Sequence, residues 1–216
     1  MKVTNLSEQN SILNQFMKEL RDKNCQRDSM RFRRNIERLG EICAYELSKT
    51  LSYQTEEITT PLAKTAIDTV SDKVVLATIL RAGLPYHQGF LNVFDHAENA
   101  FVSAYRKYTS ESEFHIHTEY IASPALDGKT LIITDPMLAT GSSMQVAYEA
   151  LLQKGKPAKV YLASVLATPQ AIEYLESMLP KETSLFTIDI DPVLNEHKYI
   201  VPGLGDAGDL CFGEKL

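Results

Sequence analysis

The sequence predicts an α/β domain with a mostly parallel sheet flanked by helices and preceded by an N-terminal helical region. The first observation is that continuous apolar runs of strand length recur along the chain, as in strands buried on both faces. The second is that these runs alternate with segments whose apolar residues have helical spacing. A length of 216 residues fits one domain, so we expect residues 1–216 to form a single unit.

The composition is that of a globular protein, with 44% hydrophobic and 23% charged residues. A net charge of −6 speaks against a general nucleic-acid binder. The three cysteines form no C-x-x-C pair, which indicates neither a disulfide framework nor a zinc site. Residues 1–10 contain no apolar signal core, and no run reaches the roughly 18 residues of a membrane helix. We therefore expect a cytoplasmic protein with neither a nucleic-acid nor a membrane partner.

The N-terminal region predicts two helices. Apolar spacing indicates a short helix over residues 11–20 and a long one with Ser29 as its cap and an apolar stripe over residues 32–47. The four arginines off this stripe are Arg31, Arg33, Arg34 and Arg38. They fit a solvated helix face; a contact for an effector phosphate or a second subunit is the alternative.

The middle of the chain predicts strands that end in functional residue types. Residues 54–60 indicate a polar strand, and a short helix is expected over residues 63–70. Residues 74–80 form a buried strand that runs into Arg81, with a helix following through residue 94. Residues 101–105 predict a third strand, which ends at Arg106.

Residues 107–123 are polar and aromatic without helical periodicity. We expect them to form a mobile β-hairpin flap, which could pair with the strand near residue 57. His115 and His117 alternate as metal ligands on a strand would, but a flap strand with one polar side explains them better.

The central stretch is residues 130–143, which predicts a strand, a tight loop and a helix. Residues 131–133 are apolar, Asp135 and Pro136 end the strand, and small residues lead into the helix. Backbone N–H groups at a helix N-terminus attract phosphate, and the adjacent carboxylate of Asp135 suggests a sugar hydroxyl or a metal beside that phosphate. The alternative is an ordinary strand-to-helix turn. Residues 135–143 are called the phosphate loop below.

Two other phosphate motifs are excluded. The sequence has no G-x-x-x-x-G-K-[ST], which argues against a P-loop enzyme. A G-x-G-x-x-G pattern occurs at Gly203, Gly205 and Gly208, but only eight residues follow it. It therefore cannot open the helix and second strand of a dinucleotide-binding unit.

After the helix that follows the phosphate loop, a strand is predicted over residues 159–167, a helix over 171–179 and a strand over 184–190. Arg81, Arg106 and Asp135 all stand at predicted strand ends, where ligands of parallel sheets bind. Guanidinium groups bind phosphate in fork geometry, so two arginines there suit a second anionic group.

Three segments carry a family resemblance: residues 79–84 (ILRAGL), residues 135–141 (DPMLATG), and residues 199–209 (YIVPGLGDAGD) followed by Phe212 and Gly213. They resemble the signature regions of the uracil phosphoribosyltransferase family, with Tyr105 and Arg106 also in place. The similarity extends loosely over residues 31–213. Residues 199–213 are called the hood below.

The resemblance implies the type I phosphoribosyltransferase fold with its flap and a base-binding C-terminal hood. It also implies the salvage reaction of uracil with PRPP to give UMP and pyrophosphate. Mg²⁺ would be held mainly by PRPP and water, so no protein metal ligand is assigned. Family members form homo-oligomers, and GTP activates some of them.

The resemblance also implies site residues. Arg81 and Arg106 would contact the diphosphate, and the phosphate loop would hold the ribose 5-phosphate. The implied PRPP-binding residues are Arg81, Arg106, Asp135, Pro136, Met137, Leu138, Ala139, Thr140, Gly141, Ser142, Ser143 and Asp206. The implied uracil-binding residues are Ile200, Gly205, Asp206 and Ala207. No general base is assigned.

Three departures from the family pattern bear on activity. Ser142 stands where a second glycine is usual, a turn at Pro85 replaces a methionine-rich one, and Leu210 replaces a basic residue. Two alternatives follow: a phosphoribosyltransferase for another base, and a non-catalytic or weakly catalytic sensor of uridine nucleotides on the same fold.

Overall fold

A central sheet of eight strands organises the chain in this computed structural model, which describes residues 1–108 and 114–215 and the side chains of residues 1–103 and 120–215. In chain order the strands are β1 (Lys2–Asn5), β2 (Tyr53–Thr59), β3 (Lys64–Val70), β4 (Val74–Ile79), β5 (Glu98–Tyr108), β6 (Phe114–Ala122), β7 (Thr130–Thr134), β8 (Met137–Leu138), β9 (Lys159–Ala167), β10 (Ser184–Ile190), β11 (Val193–Leu194) and β12 (Ile200–Val201). The helices are α1 (Leu13–Arg21), α2 (Ser29–Ser48), α3 (Leu84–Val93), α4 (Ser142–Leu152), α5 (Pro169–Met178) and α6 (Ala207–Phe212), with a 3₁₀ turn at Leu6–Glu8.

The sheet has the order β1-β10-β9-β7-β4-β5-β6, and β8 pairs with β9. Every pairing is parallel except that of β5 with β6. The predicted α/β class with a mostly parallel sheet is therefore confirmed. The bounds predicted for β9 and β10 agree with the structure.

Alternation along the strands gives the sheet two apolar faces. In β7, Ile132 packs in a core with residues of α1, α2, α3 and α6. Its neighbours Leu131 and Ile133 pack in a second core with residues of α4 and α5. Helices thus cover both faces, and the loops at the carboxyl ends of β4 and β7 stay open to a ligand. None of the described helices has the length and apolarity needed to cross a bilayer.

Helix α2 begins at Ser29, but its cap is Asp28, whose side chain accepts a hydrogen bond from the backbone N–H of Arg31 at 3.0 Å. The prediction that Ser29 is the cap is wrong by one residue, because the carboxylate reaches that N–H from the position before the helix.

The arginines of α2 are partnered on the protein itself, which qualifies the interpretation of a solvated face. Arg31 pairs with Glu19 at 2.9 Å, and Arg34 pairs with Glu37 at 2.7 Å. Arg33 donates to the carbonyl of Cys211 at 2.6 Å, so it ties α2 to α6.

The helix predicted over residues 63–70 is wrong, because this segment forms β3 and pairs antiparallel with β2. Thr65, Ile67 and Thr69 are β-branched and favour strand geometry. Both strands are largely exposed, so no buried face marked the segment as a strand in the sequence.

The predicted β-hairpin flap is confirmed for its backbone, since β5 and β6 pair from Phe101 with Ala122 to Tyr108 with Phe114. Its suggested pairing with the strand near residue 57 is wrong, because β2 and β3 form a sheet of their own. The predicted mobility of residues 107–123 stays a prediction, because residues 109–113 and the side chains of residues 104–119 lie outside the described residues.

Candidate active site

The carboxyl ends of β4 and β7 face the hood across a cavity of about 660 Å³. The residues that line it are Ile79, Leu80, Arg81, Ala82, Ser103, Asp135, Met137, Ala139, Ser143, Lys198, Tyr199, Ile200, Gly205, Asp206, Ala207, Gly208 and Lys215. Residues from all three sequence motifs therefore meet at one place. Parallel strands bring this about, because their carboxyl ends share one edge of the sheet.

The phosphate loop borders a second, smaller pocket of about 50 Å³. Its lining residues are Asp135, Met137, Leu138, Ala139, Thr140, Gly141, Ser143 and Met144. The first N–H groups of a helix lack intrahelical partners, so the start of α4 provides donors and a positive dipole end here. Asp135, Met137, Ala139 and Ser143 line both pockets, which are therefore adjacent.

Gly141 gives this loop its shape. Its φ of 79° lies in the left-handed region, and a Cβ there would lie 3.0 Å from atoms of both Tyr174 and Leu175. A side chain at this position would disturb the packing of α5 against the loop.

The loop is anchored to β9 through its own backbone. The carbonyl of Pro136 accepts hydrogen bonds from the N–H groups of Val165 and Leu166, at 3.1 and 2.9 Å. Residues Met137 and Leu138 then continue as β8 beside β9. A strand of two residues is too short to show a periodic pattern in the sequence.

Asp135 stands at the end of β7 and is buried. Its carboxylate accepts a long hydrogen bond from the N–H of Met137 at 3.5 Å. Burial raises the pKa of Asp135 to about 7, because a desolvated carboxylate is less stable than the neutral acid. A cluster of hydroxyl donors or cations from a ligand would favour its ionised form.

Arg81 follows β4 after a cis peptide bond with Leu80. Its guanidinium donates to the carboxylate of Asp209 at 2.8 Å and to the carbonyl of Gly213 at 2.7 Å. Both acceptors belong to the hood. The arginine predicted to bind diphosphate therefore also connects the β4 loop to the C-terminal segment.

Arg106 lies in β5, where its backbone pairs with Ile116. Its side chain is outside the described residues, so the predicted diphosphate contact stays a prediction. His115 and His117 lie in β6 and share this limit. Among the side chains that the structure describes, no group of three or more His, Cys, Asp and Glu residues could hold a metal ion.

The hood contributes Tyr199, Ile200 and residues 205–208 to the lining of the cavity. Ile200 begins β12, a turn with two left-handed glycines follows, and α6 starts at Ala207. Gly203 has φ 59° and Gly205 has φ 95°. A Cβ on Gly203 would collide with the carbonyl oxygen of Ile200, so only glycine fits there.

Asp206 caps α6, and its Oδ1 accepts a hydrogen bond from the N–H of Asp209 at 3.0 Å. Its Oδ2 lies 3.8 Å from Nζ of Lys215. The helix was not predicted, although an aspartate followed by an acid three residues later is a recognised start signal. Lys198, Tyr199 and Lys215 are cavity residues that sequence reasoning missed. For Lys215, in an irregular tail, no sequence signal exists.

The three departures from the family pattern stay clear of the cavity wall. Ser142 is buried, its Oγ lies 2.8 Å from Oγ1 of Thr140, and it does not line either pocket. Pro85 is buried in the first turn of α3. Leu210 is partly buried and packs against the apolar core.

Comparison with known proteins decides the family. A family model described as uracil phosphoribosyltransferase matches residues 7–214. The chain belongs to the uracil phosphoribosyltransferase family. The family predicted from three sequence motifs, and the function predicted with it, are therefore confirmed.

Relatives in this family match the chain over most of their length. The uracil phosphoribosyltransferase of Porphyromonas gingivalis is 57% identical over 216 residues, which cover 100% of both chains. That of Pyrobaculum arsenaticum is 42% identical over 198 residues, 89% of this chain and 91% of the relative.

Solved structures share the fold. A protein of Aquifex aeolicus superposes with a TM-score of 0.85 at 29% identity and covers 98% of both chains. A hypoxanthine phosphoribosyltransferase of Staphylococcus aureus has a TM-score of 0.51 at 15% identity, with 74% of each chain covered. The second likeness is one of fold alone.

Proposed function

We propose that the protein joins uracil to the phosphoribosyl group of PRPP in the cavity of about 660 Å³, giving UMP and pyrophosphate. The observation that carries the proposal is the meeting of two dissimilar walls. One wall is a phosphate loop at a helix N-terminus, and the other is the hood, whose turn contains the left-handed glycines Gly203 and Gly205. A ligand with a phosphate at one end and a flat heterocycle beside the hood suits both walls.

The phosphate loop is proposed to hold the ribose 5-phosphate. The small pocket has room for one compact group at the start of α4, where N–H donors and the helix dipole favour an anion. Asp135 lines this pocket and the larger cavity, which supports the proposal that its carboxylate contacts the sugar of the same ligand. Hydroxyls of the ribose would donate to it and stabilise its ionised form.

Arg81 is proposed to bind the diphosphate of PRPP together with Arg106. To do so, its guanidinium exchanges the single oxygen of Asp209 and the carbonyl of Gly213 for phosphate oxygens. A fork-shaped cation suits that exchange, since it can contact two oxygens at once. The cations at the cavity wall also include Lys198 and Lys215.

Mg²⁺ is proposed to reach the site bound to PRPP. The ion would be held mainly by phosphate oxygens and water, because Mg²⁺ usually keeps several waters and binds substrate phosphates. Such an ion would neutralise charge on the departing pyrophosphate. The protein's own contribution to that stabilisation would be the positive charge of Arg81 and Arg106.

Uracil is proposed to bind beside Ile200, Gly205, Asp206 and Ala207. The reaction forms a bond between N1 of uracil and C1 of the ribose as the bond from C1 to the pyrophosphate oxygen breaks. The N1 proton passes to solvent. No described side chain is assigned as a general base, so a site that stabilises the uracil anion would supply the remaining assistance.

The homo-oligomer expected from the resemblance has one supporting feature. The exposed β2–β3 hairpin carries large apolar side chains, namely Tyr53, Ile58, Leu62, Ile67 and Val70, of which Leu62 is 96% exposed. Exposed apolar patches often mark association surfaces. Light scattering gives the oligomeric state, and rates with and without GTP test the proposed effector.

A cytoplasmic location is proposed as well, and its support is that all three cysteines are unpaired. Cell fractionation is the test.

The direct test of the reaction is turnover of PRPP with uracil, cytosine and hypoxanthine. UMP and pyrophosphate formed from uracil support the proposal. Absence of turnover with uracil favours a nucleotide sensor, and a faster rate with another base favours a phosphoribosyltransferase for that base.

A further inference from the structure

The hood is held from outside by an ion pair that does not line the cavity. Arg21, the last residue of α1, contacts both oxygens of Asp191 at 2.8 Å. The same guanidinium donates to the carbonyl of Gly203 at 3.0 Å. Asp191 is buried, and its Oδ2 accepts a hydrogen bond from the N–H of Gly203 at 2.9 Å. Both main-chain groups of Gly203 are therefore bound by this pair.

A second side chain holds the next residue. Nε2 of Gln26 donates to the carbonyl of Leu204 at 3.0 Å and to the carbonyl of Leu20 at 2.8 Å. Two consecutive carbonyls of the hood are thus fixed immediately before Gly205, which lines the cavity. The left-handed glycines on either side of Leu204 would otherwise leave this turn free to change conformation.

This arrangement matters because main-chain groups cannot choose a rotamer. A side chain that binds a base can rotate to improve a hydrogen bond, whereas the direction of an N–H or C=O group in the hood is set by the backbone conformation. The directions of the main-chain groups proposed to bind uracil therefore depend on the contacts that hold residues 203 and 204.

We propose that Arg21 and Asp191, assisted by Gln26, are positioning residues that fix the main chain of the hood and thereby determine the affinity and selectivity for uracil. The inference rests on the proposed uracil site in the hood. Neither Arg21 nor Asp191 touches the cavity, and the two lie 170 positions apart in the sequence. They act through the backbone of Gly203.

The contacts made at position 21 require a guanidinium group rather than another cation. The guanidinium uses Nη1 and Nη2 together to contact Asp191, Asp189 and Gly203. A lysine ammonium has the charge but lacks the planar fork, so it cannot reproduce this set of contacts. Arg21→Lys should therefore rescue only part of the loss caused by Arg21→Met.

The test is steady-state kinetics of the full-length protein with Arg21→Met, Arg21→Lys and Gln26→Leu. Arg21→Met is expected to raise the KM for uracil by roughly 10- to 100-fold, as follows from loss of a charge-assisted contact. The KM for PRPP should change by less than about threefold, and the ratio of uracil to cytosine kcat/KM should fall by about the same factor as the uracil affinity. Arg21→Lys should lie between Arg21→Met and wild type.

Arg31→Met is the matched control, since Arg31 is also an arginine paired with a carboxylate, that of Glu19, but makes no contact with the hood. It should leave both KM values unchanged. Should Arg21→Met fail to fold, Gln26→Leu decides the question, because it removes only neutral hydrogen bonds, to the carbonyls of Leu204 and Leu20. Its expected effect is about a fivefold rise in the KM for uracil alone.

A purely structural role predicts a different pattern. Partial unfolding lowers the concentration of active enzyme, so kcat falls while both KM values and the base selectivity stay at wild-type values. That pattern in Arg21→Met, or in Gln26→Leu if Arg21→Met fails to fold, would overturn the inference. Failure of the proposed function is separate, because the wild-type protein would then show no turnover of uracil.

Discussion

Asp135→Asn is the substitution whose effects on stability and on activity should have opposite signs. Asp135 is buried and has a pKa of about 7, while its ordinary value is 3.8. Asparagine has nearly the same shape and cannot ionise. The variant therefore removes a charge that the ligand-free protein holds at a cost.

The magnitude follows from the pKa. A rise from 3.8 to about 7 corresponds to an ionisation cost on the order of 4 kcal/mol, at about 1.4 kcal/mol per unit. Because the folded-state pKa is the higher one, the stability contributed by the protonated acid is fully present below about pH 3.8 and is lost as the pH rises through about 7. The new amide needs hydrogen-bond partners, which offsets about 1–3 kcal/mol. We expect Asp135→Asn to raise the unfolding free energy by about 1–3 kcal/mol near pH 8, and by progressively less towards pH 4.

The kcat/KM of Asp135→Asn should fall, although its stability rises. Loss of the charged acceptor for the ribose hydroxyls should cost about 1.5–3 kcal/mol, or roughly 10- to 150-fold in kcat/KM. Urea unfolding of the ligand-free protein at about pH 5 and pH 8, and kinetics at the higher pH, are the two assays. Asp95→Asn, at an exposed aspartate outside the cavity, is the control and should change neither quantity. Wild-type kinetics in Asp135→Asn would remove Asp135 from the site, and a stability change that is the same at both pH values would refute the account of its burial.

Three further predictions concern the loop, the arginine and a buried histidine. Gly141→Ala should lower the free energy of unfolding by about 2–3 kcal/mol and raise the KM for PRPP. The control is Gly128→Ala, which should cost only about 1 kcal/mol, because Gly128 is also left-handed but has no atom within 4 Å of an added Cβ. Thermal unfolding and steady-state kinetics compare the two variants. Arg81→Lys should raise the KM for PRPP roughly tenfold and leave that for uracil nearly unchanged, and equal effects on both would contradict the assignment. Burial lowers the pKa of His87 below 6.5, and its Nδ1 has no partner among the described residues. The unfolded chain therefore binds the proton more readily, so stability should fall as the pH drops below about 6.5, and His87→Gln should reduce this dependence in unfolding measurements.

Elements buried on both faces were predictable, because burial leaves a continuous apolar run. β9 and β10 are such strands, and their bounds follow directly from the sequence. The positions of Arg81 and Asp135 were predictable for a related reason, since each ends a buried strand and parallel strands end at one edge.

Largely exposed elements, and elements too short to repeat their period several times, could not be predicted from periodicity. β3 is exposed along its length and was mistaken for a helix. β1 is a short, partly polar edge strand whose place beside β10 depends on a segment about 180 residues away. α6 has six residues, one of them glycine, so no periodicity could mark it.

The contacts of Arg21 and Asp191 with Gly203 could not be predicted from the sequence for a different reason. Each residue is unremarkable in its own segment, and only the packing of α1 beside the end of β10 brings them together. Contacts of this sort depend on the tertiary fold and leave no local pattern.

The measurement that tests the central claim most directly is kcat/KM with PRPP for uracil against cytosine. Uracil offers an N3–H donor between two carbonyls, whereas cytosine offers an acceptor at N3 beside an amino group. A main-chain pattern fixed by the hood cannot adapt to that reversal, so the account predicts preference for uracil by roughly 10⁴. A cytosine value within about tenfold of that for uracil would contradict the claim that the hood reads the base through its main chain.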